Sequence, residues 1–516
     1  MAESETTDKP AKDRATDDVS ERDSRDANER EDGDGAKASA DDAPPATSTK
    51  PAEAPEEPAA NKRGERATGE ANEPLPWKVA AAIFALALIV YGIFAAERLA
   101  THSPDNHFSY LADSYLHGTL SVRCQPEALR ARTCPPGGGG NDWALYNDKW
   151  YVAFPSFPAV VYMPAVALFG RDFANRRLDI ALGALAPALL YLLLARLSRE
   201  KKSERTWKEN VLFSLLFAFG TVFFFSSIQG SVWFVAHVIN ASLVIGYLWY
   251  ALDARNPIAA GVLLGLAIHT RANMAFAAPF FAIEALRVHR ANGKAPETLV
   301  DYWTGADKAK AIRACVEFAI PVAIAVFVTR YLNYLRFEDW NETGYRYLQI
   351  GWRGRIERWG LFNYHYLGRN LGIFLASTPW FTRDFPYVVV SLHGLAIWVT
   401  TPNFLELVRL RVKGTHGYTL FLALSAGAVL AVLLLYQNSG WVQFGFRFSN
   451  DIAPFAIVLL ALNGAKINRL WLAAFAIAVA VNTFGAWTFE RQIVLRGQRV
   501  TFYDNDYTQN RYFQPD

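Results

Sequence analysis

The stretch FPAVVYMPAVALFG, Phe157 to Gly170, decides how the chain is threaded. A helix needs about 20 apolar residues to cross a hydrocarbon core of about 30 Å. This run has about 14 and is interrupted by Pro158 and Pro164, so its length points to an interfacial or re-entrant helix and not a crossing. The charges around it agree. Lys and Arg favour the cytoplasmic side of short loops, and the basic loops are SREKKSERTWK (198–208), RVHRANGKAPE (287–297) with DKAKAIR (307–313), ELVRLRVKG (406–414) and GAKINR (464–469). All of them fall on one side only if 157–170 does not cross; counting it as a span reverses every later loop.

Further spans are read at about 77–96, 178–197, 211–228, 231–252, 257–271, 273–287, 312–332, 386–405, 417–436, 451–464 and 468–488. The fold class expected is therefore an all-α polytopic membrane protein, a bundle of about eleven transmembrane helices. Averages conceal this. The chain is 52% hydrophobic, 14% aromatic and 20% charged, which a large soluble protein could also show. The charge, however, is segregated. Residues 1–76 hold 21 Asp or Glu against 11 Lys or Arg, a net of −10, so the rest of a +3 chain carries +13. That first part is almost free of large apolar side chains and cannot offset the entropy of ordering; it is expected to be a disordered, acidic, cytoplasmic tail. It has neither a basic n-region nor an early apolar h-region, so no signal peptide is expected before the first span.

With the amino terminus inside, the segments 97–177, 333–385 and 437–450 lie outside, together with a tail from about Glu490 to Asp516. Cys124 and Cys134 share the first of these and are expected to form a disulfide that clips the loop carrying PPGGGG; Cys315 lies in an apolar helix. No CxxC or Cys/His spacing suggests structural zinc. Walker A, GxGxxG, GxSxG and HExxH patterns are absent too, which removes support for ATP-driven transport, Rossmann nucleotide-sugar binding and common hydrolase chemistry.

The first outer segment begins PDNHFSYLADSYLHG. Phe108, Leu111, Tyr115 and Leu116 have near-helical spacing, which predicts a short amphipathic surface helix with Asp105 near its amino end. Capping is one use for a carboxylate there; catalysis is another. His107, Asp142 and Asp148 are further polar candidates, the two aspartates equally readable as turn residues. Arg271, in LAIHTRANM, is a charge between two apolar runs, where charge is expensive, and His269 stands beside it. The segment 333–385 mixes arginines with aromatics. Arg353, Arg355 and Arg358 cluster in it and suit phosphate or carboxylate, His365 is a possible acid, and Trp352, Trp359, Tyr364 and Tyr366 either stack on sugars or sit in the headgroup belt. In NSGWVQFGFRFSNDIAPF, Gln443, Arg447, Asn450 and Asp451 form a polar cluster entering an apolar helix, where Arg447 and Asp451 are expected either to pair or to meet a donor.

An acidic residue just after the first span, then YLADSYLHG, then WYVAFPSFPAVVYMPAVALFG and a span entered through Arg176 and Arg177 resemble the GT-C membrane glycosyltransferases. Among these the chain looks most similar to the protein O-mannosyltransferase and aminoarabinose-transferase-like group, the glycosyltransferase family 39-like enzymes. The likeness covers roughly 77–290 and a second block near 436–462, and in that fold the short run after the tyrosine is a juxtamembrane helix. The resemblance implies transfer of a sugar from a polyprenyl-phosphate donor to a glycan, lipid or protein acceptor at the outer face of a bacterial inner membrane. It implies Asp105 as general base, with Arg271 and Arg447 at places where similar arginines meet the donor; Arg353, Arg355 and Arg358 are further candidates for the donor phosphate or sugar, and His107, Asp142, Asp148, His365, Gln443 and Asp451 for acceptor or supporting roles. Many relatives show two adjacent acids where this chain has Asp105-Asn106, so a second carboxylate at that motif is missing. No cofactor is expected, a divalent metal being left open; membrane lipids are expected partners and nucleic acid is not. The alternative function is a transporter or flippase of lipid-linked glycan, which predicts related halves and midplane charges. No internal repeat is seen, and the charges concentrate at the outer surface.

Overall fold

The computed structural model describes residues 75–290, 298–410, 417–495 and 497–504. The acidic amino-terminal segment, parts of two basic loops and most of the carboxyl-terminal tail lie outside them. Among the described residues the chain is mostly helical, with three small sheets.

In chain order the principal helices are α1 (Pro76–Ala95), α2 (His107–Leu116), α3 (Phe157–Phe169), α4 (Arg176–Arg199), α5 (Trp207–Phe219), α6 (Val232–Ala251), α7 (Pro257–Ile268), α8 (Ala278–Val288), α9 (Lys308–Phe337), α10 (Gly417–Leu434), α11 (Ala453–Leu462) and α12 (Arg469–Thr488). Their starts follow local chemistry. Thr206 and Glu209 close a capping box on α5, Asn256 caps α7 ahead of a proline at its first turn, and Asp307 and Asn468 cap α9 and α12, each satisfying a backbone N–H that the helix itself cannot.

Six helices among the described residues are long and apolar enough to cross a membrane: Pro76–Ala100, Arg176–Arg199, Val232–Ala254, Lys308–Phe337, Gly417–Leu434 and Arg469–Thr488. The other expected spans are shorter or broken. The 211–228 span divides at Gly220 into α5 and the short helix Phe223–Ser227; that of 273–287 begins as a 3-10 turn before α8; that of 451–464 is the ten-residue α11. The 386–405 span is not one continuous helix. It contains the strand Val388–Ser391, the four-residue helix Ile397–Thr400 and a 3-10 stretch from Pro402. This segment runs beside α12, whose Asn482 donates to the Thr400 carbonyl at 2.7 Å, while Asn403 donates to the Trp471 carbonyl at 3.1 Å. Apolar residues packed inside protein look the same in a hydropathy window as residues facing lipid, and irregular backbone is tolerated there because protein satisfies it.

The main core is built from α4, α5, α6, α7, α8, α10 and α11. Gly261 and Gly265 allow α7 to sit directly on α9: a Cβ at Gly261 would lie 2.2 Å from the Phe318 carbonyl oxygen. Small residues at such contacts let helix backbones approach where apolar burial alone gives little drive.

The carboxyl ends of α4, α6, α8 and α11 and the amino end of α10 meet at one end of the bundle. There Asp253 accepts from Arg287 at 2.5 Å and Arg196 at 3.4 Å, and pairs with Lys202. Glu284 accepts from Arg287 and from the Asp253 N–H, each at 2.8 Å. Ser203 and Arg205 bond the last carbonyls of α11, and Arg287 lies over the Tyr418 ring. The described parts of the basic segments gather at this end, as the charge pattern requires.

α3 spans 13 residues, about 20 Å of helix. The chain enters it where Ser156 and Phe157 bond His269 and leaves it where Arg171 donates to the Arg123 carbonyl at 2.9 Å. It packs on α2 and α6. Both of its ends are thus held by groups opposite the basic end. α2 is mostly buried and not a helix with one solvated face.

Candidate functional site

Opposite the basic end lies a cavity of about 810 Å³. Asp105, Asn141, Asp142, Arg271, Arg447 and Glu490 are on its wall, together with the aromatic Trp233, Tyr345, Trp352, Tyr436 and Phe448. The residues come from the 97–177 segment, the start of α6, the turn after α7, the 333–385 segment, the stretch from the end of α10 to Phe448 and the residues just after α12.

Asp105 sits in a strapped piece of backbone. Its carbonyl accepts from Val232 N–H at 3.0 Å. Two residues earlier, Ser103 N–H donates to Asn175 at 2.8 Å, and Asn175 in turn donates to the Gly230 carbonyl at 2.7 Å and to Asp179 at 3.1 Å. Arg176 donates to the carbonyls of Gln229 and His102. The carboxylate is half-buried and accepts one bond, from Asn141 at 3.3 Å. Burial, with Glu490 next and Asp142 also adding negative charge, pushes its pKa up to about 6, against the Asn141 bond and Arg176. Asp105 does not cap α2. The N-cap is Asn106, whose buried amide makes no cap bond. An acid at 106 would be a buried charge with no donor at its side chain, which fits the Asp-Asn pair physically.

His107 is fully buried and stacks on Trp143 with ring centroids 3.9 Å apart; its Nε2–H donates to the Asn141 carbonyl at 2.8 Å. Burial holds its pKa down at about 4, so it is a neutral prop for Asn141 and not part of the cavity wall. Asp142, with φ +69°, accepts from the Trp233 indole N–H at 2.7 Å, and burial raises its pKa. Asp148 is exposed in the two-residue turn Asn147-Asp148, φ +46° and +59°, which joins the strands Trp143–Tyr146 and Lys149–Val152. This is the left-handed pair that tight hairpins favour. Cys124 and Cys134 are disulfide-bonded.

The expected Arg447–Asp451 pair is not formed. Asp451 is fully buried and accepts from Arg271 Nε at 3.0 Å and Nη2 at 2.9 Å, from Asn273 at 3.0 Å, from Asn240 at 3.2 Å and from His237 at 2.8 Å. Asp451 therefore fixes the Arg271 fork at the cavity wall, while Nη1 of that fork makes no hydrogen bond among the described residues. Arg447 is 5% exposed, bonds the carbonyls of Gly440 and Val442, and lies between the rings of Phe234 and Phe448. Its Nε has no hydrogen-bond partner, and no carboxylate lies within ion-pair distance of it among the described residues. Gln443 is buried and structural: it donates to the carbonyls of His393 at 2.6 Å and Ser439 at 2.9 Å and accepts from Arg447 N–H.

The cluster Arg353, Arg355, Arg358 and His365 is not on the cavity wall. Arg353 pairs with Glu357 at 2.8 Å, Arg355 donates to the Gln437 carbonyl at 3.0 Å, Arg358 lies over Trp359, and His365 stacks on the same Trp359 at 4.4 Å. Sequence reading did not single out Glu490, Tyr345 or Tyr436. Arg336 was passed over as well; it lines the cavity while donating to the Val152 carbonyl and to Asn333.

The sequence matches no family model. No curated protein matches it either. Solved structures similar to the chain include ArnT from Cupriavidus metallidurans bound to undecaprenyl phosphate, at 12% identity and TM-score 0.43, covering 78% of this chain and 62% of that one. A second is the archaeal oligosaccharyltransferase AglB from Archaeoglobus fulgidus in complex with an inhibitory peptide and a dolichol-phosphate, at 12% identity and TM-score 0.43, covering 79% of this chain and 55% of that one. The chain thus spans between 55% and 62% of the length of these two structures.

Proposed function

We propose that the chain is a membrane glycosyltransferase that moves a sugar from a polyprenyl-phosphate donor to an acceptor hydroxyl. The observation that carries this reading is that one cavity holds a carboxylate of raised basicity, Asp105, a half-buried Arg271 held by Asp451, and a buried Arg447 whose Nε has no hydrogen-bond partner among the described residues. The acceptor oxygen attacks the anomeric carbon and inverts it as its proton passes to Asp105. The bond from that carbon to the phosphate oxygen breaks, and the electron pair stays on the lipid phosphate, beside Arg271 and Arg447. Fixing Arg271 beforehand through Asp451 lowers the reorganisation needed as charge develops. The scheme uses side chains alone and no resident cofactor.

In this reading the cavity end faces the outer side of a bacterial inner membrane and the basic end the cytoplasm, amino terminus included. Membranes containing the full chain, fed labelled polyprenyl-phosphomannose, -glucose and -arabinose in turn, are expected to transfer one of these sugars. Asp105→Asn is expected to abolish that transfer at unchanged protein level. Retained activity in Asp105→Asn removes the base from the scheme.

A further inference from the structure

Glu490 lies directly after α12, 385 residues from Asp105 in sequence, and both line the main cavity. It also lines a second recess, of about 390 Å³, shared with Glu97, Arg98, Trp487, Arg491 and Gln492. Its backbone is fixed where a helix has just ended. Arg98 Nη2 donates to the carbonyls of Phe489 at 3.0 Å and Glu490 at 2.7 Å, Arg491 bonds the Phe94 carbonyl, and φ of Glu490 is +52°. That left-handed conformation costs energy for a residue other than glycine. The carboxylate itself makes no hydrogen bond or ion pair among the described residues. The recess combines features that suit a sugar ring: an indole that is 45% exposed in Trp487, two carboxylates, two guanidinium groups and an amide.

Resting on the glycosyltransferase reading, we propose that Glu490 is the positioning carboxylate for a carbohydrate acceptor. The acceptor lies in the recess against Trp487, and Glu490 accepts a hydrogen bond from a hydroxyl next to the reacting one while Asp105 takes the reacting proton. A second carboxylate is thereby supplied from the far end of the chain, where position 106 offers none. Glu490 also acts on Asp105 directly. The charged and titratable groups acting on Asp105 are Glu490 after α12, Asp142 from the first outer segment and Arg176 at the start of α4, with Asn141 hydrogen-bonded to it. Removing the Glu490 charge therefore makes Asp105 easier to ionise.

The test uses full-length protein in membranes, the three polyprenyl-phosphate sugars as donor probes and octyl glucoside, mannoside and galactoside as acceptor probes. Glu490→Gln is expected to raise the acceptor KM about tenfold or more, the loss of a hydrogen bond to a charged group, with donor KM within about twofold. It is also expected to shift the acidic limb of the kcat/KM pH profile to lower pH, whereas Glu490→Asp recovers part of the acceptor KM. Trp487→Ala, outside the reacting centre, is expected to raise acceptor KM alone and gives a reading even where Glu490→Gln fails to insert. An unchanged acceptor KM in Glu490→Gln and Trp487→Ala, or equal loss for donor and acceptor, overturns the proposal. Wild-type protein that transfers none of the three sugars to endogenous membrane acceptors overturns the enzyme reading instead, which separates the two failures.

Discussion

The two ends of the bundle use charge in opposite ways. At the basic end Arg196, Glu200, Lys202, Asp253, Glu284 and Arg287 interlock, and every one of them has an opposite partner within 4 Å. At the cavity end Arg271 pairs with the buried Asp451, but among the described residues Arg447 is buried with no carboxylate within ion-pair distance, Asp105 holds one weak bond, and Glu490 has no ion pair. Burying charge costs several kcal/mol per ion unless partners compensate. The first end is compensated within the protein; the second is left for something else to complete. The comparison teaches where to look for chemistry: at charges whose partners are missing, not where charges are densest.

The largest effect that separates the ends is expected from Asp105→Asn, which should lower sugar transfer about a thousandfold while the protein still folds. Its mirror is Glu284→Gln. Glu284 is fully buried and supplies Arg287 and the Asp253 N–H, so the substitution should destabilise the chain by about 3 kcal/mol. Transfer per folded molecule should stay within about twofold. Denaturation in detergent, read alongside activity, checks both. A Glu284→Gln variant that folds normally but loses catalysis erases the distinction between the ends.

A smaller effect concerns the sign of a stability change. The Asp105 carboxyl is raised from its ordinary 3.8 to about 6, so the folded state binds its proton more tightly than the unfolded state. Ionised Asp105 therefore costs stability, fully above about pH 6, and the cost disappears as pH falls below about 4. Its ceiling is about 3 kcal/mol. Asp105→Asn should then be more stable than the parent at pH 7 and equal to it near pH 3.5, while in the parent transfer falls as the pH drops through 6. A variant less stable than the parent at pH 7 makes Asp105 a structural residue like those of the other end.

The sequence carried some of this and not the rest, for physical reasons. That Phe157–Gly170 forms a helix too short to be an ordinary span was legible from its length and prolines, and the structure gives it 13 helical residues. Asp105 was marked by the family resemblance and Arg271 by the cost of charge between apolar runs; the structure places both on one cavity wall with Arg447. The partner of Asp451 was not legible, since Arg447 is nearer in sequence but Arg271 in space. Glu490 was invisible for the same reason: a carboxylate after a terminal span is common, and only folding brings it to the cavity that Asp105 lines. The broken segment at 386–405 was over-read because packing inside protein and immersion in lipid leave the same hydropathy.

The smallest expected effect bears on the Arg353, Arg355 and Arg358 cluster, which the structure places off the cavity wall. Composition alone cannot separate an arginine that waits for phosphate from one satisfied by neighbours, because aromatic and basic residues mix at membrane surfaces in either case. Arg353 is partly exposed and paired with Glu357 one turn later, an arrangement that contributes little, and Arg358 is exposed over Trp359. Arg353→Ala and Arg358→Ala should each leave donor KM and transfer within about twofold of the parent. A tenfold rise in donor KM in either variant would mean that density of charge, and not absence of a partner, marks the site, and the contrast between the two ends would lose its basis.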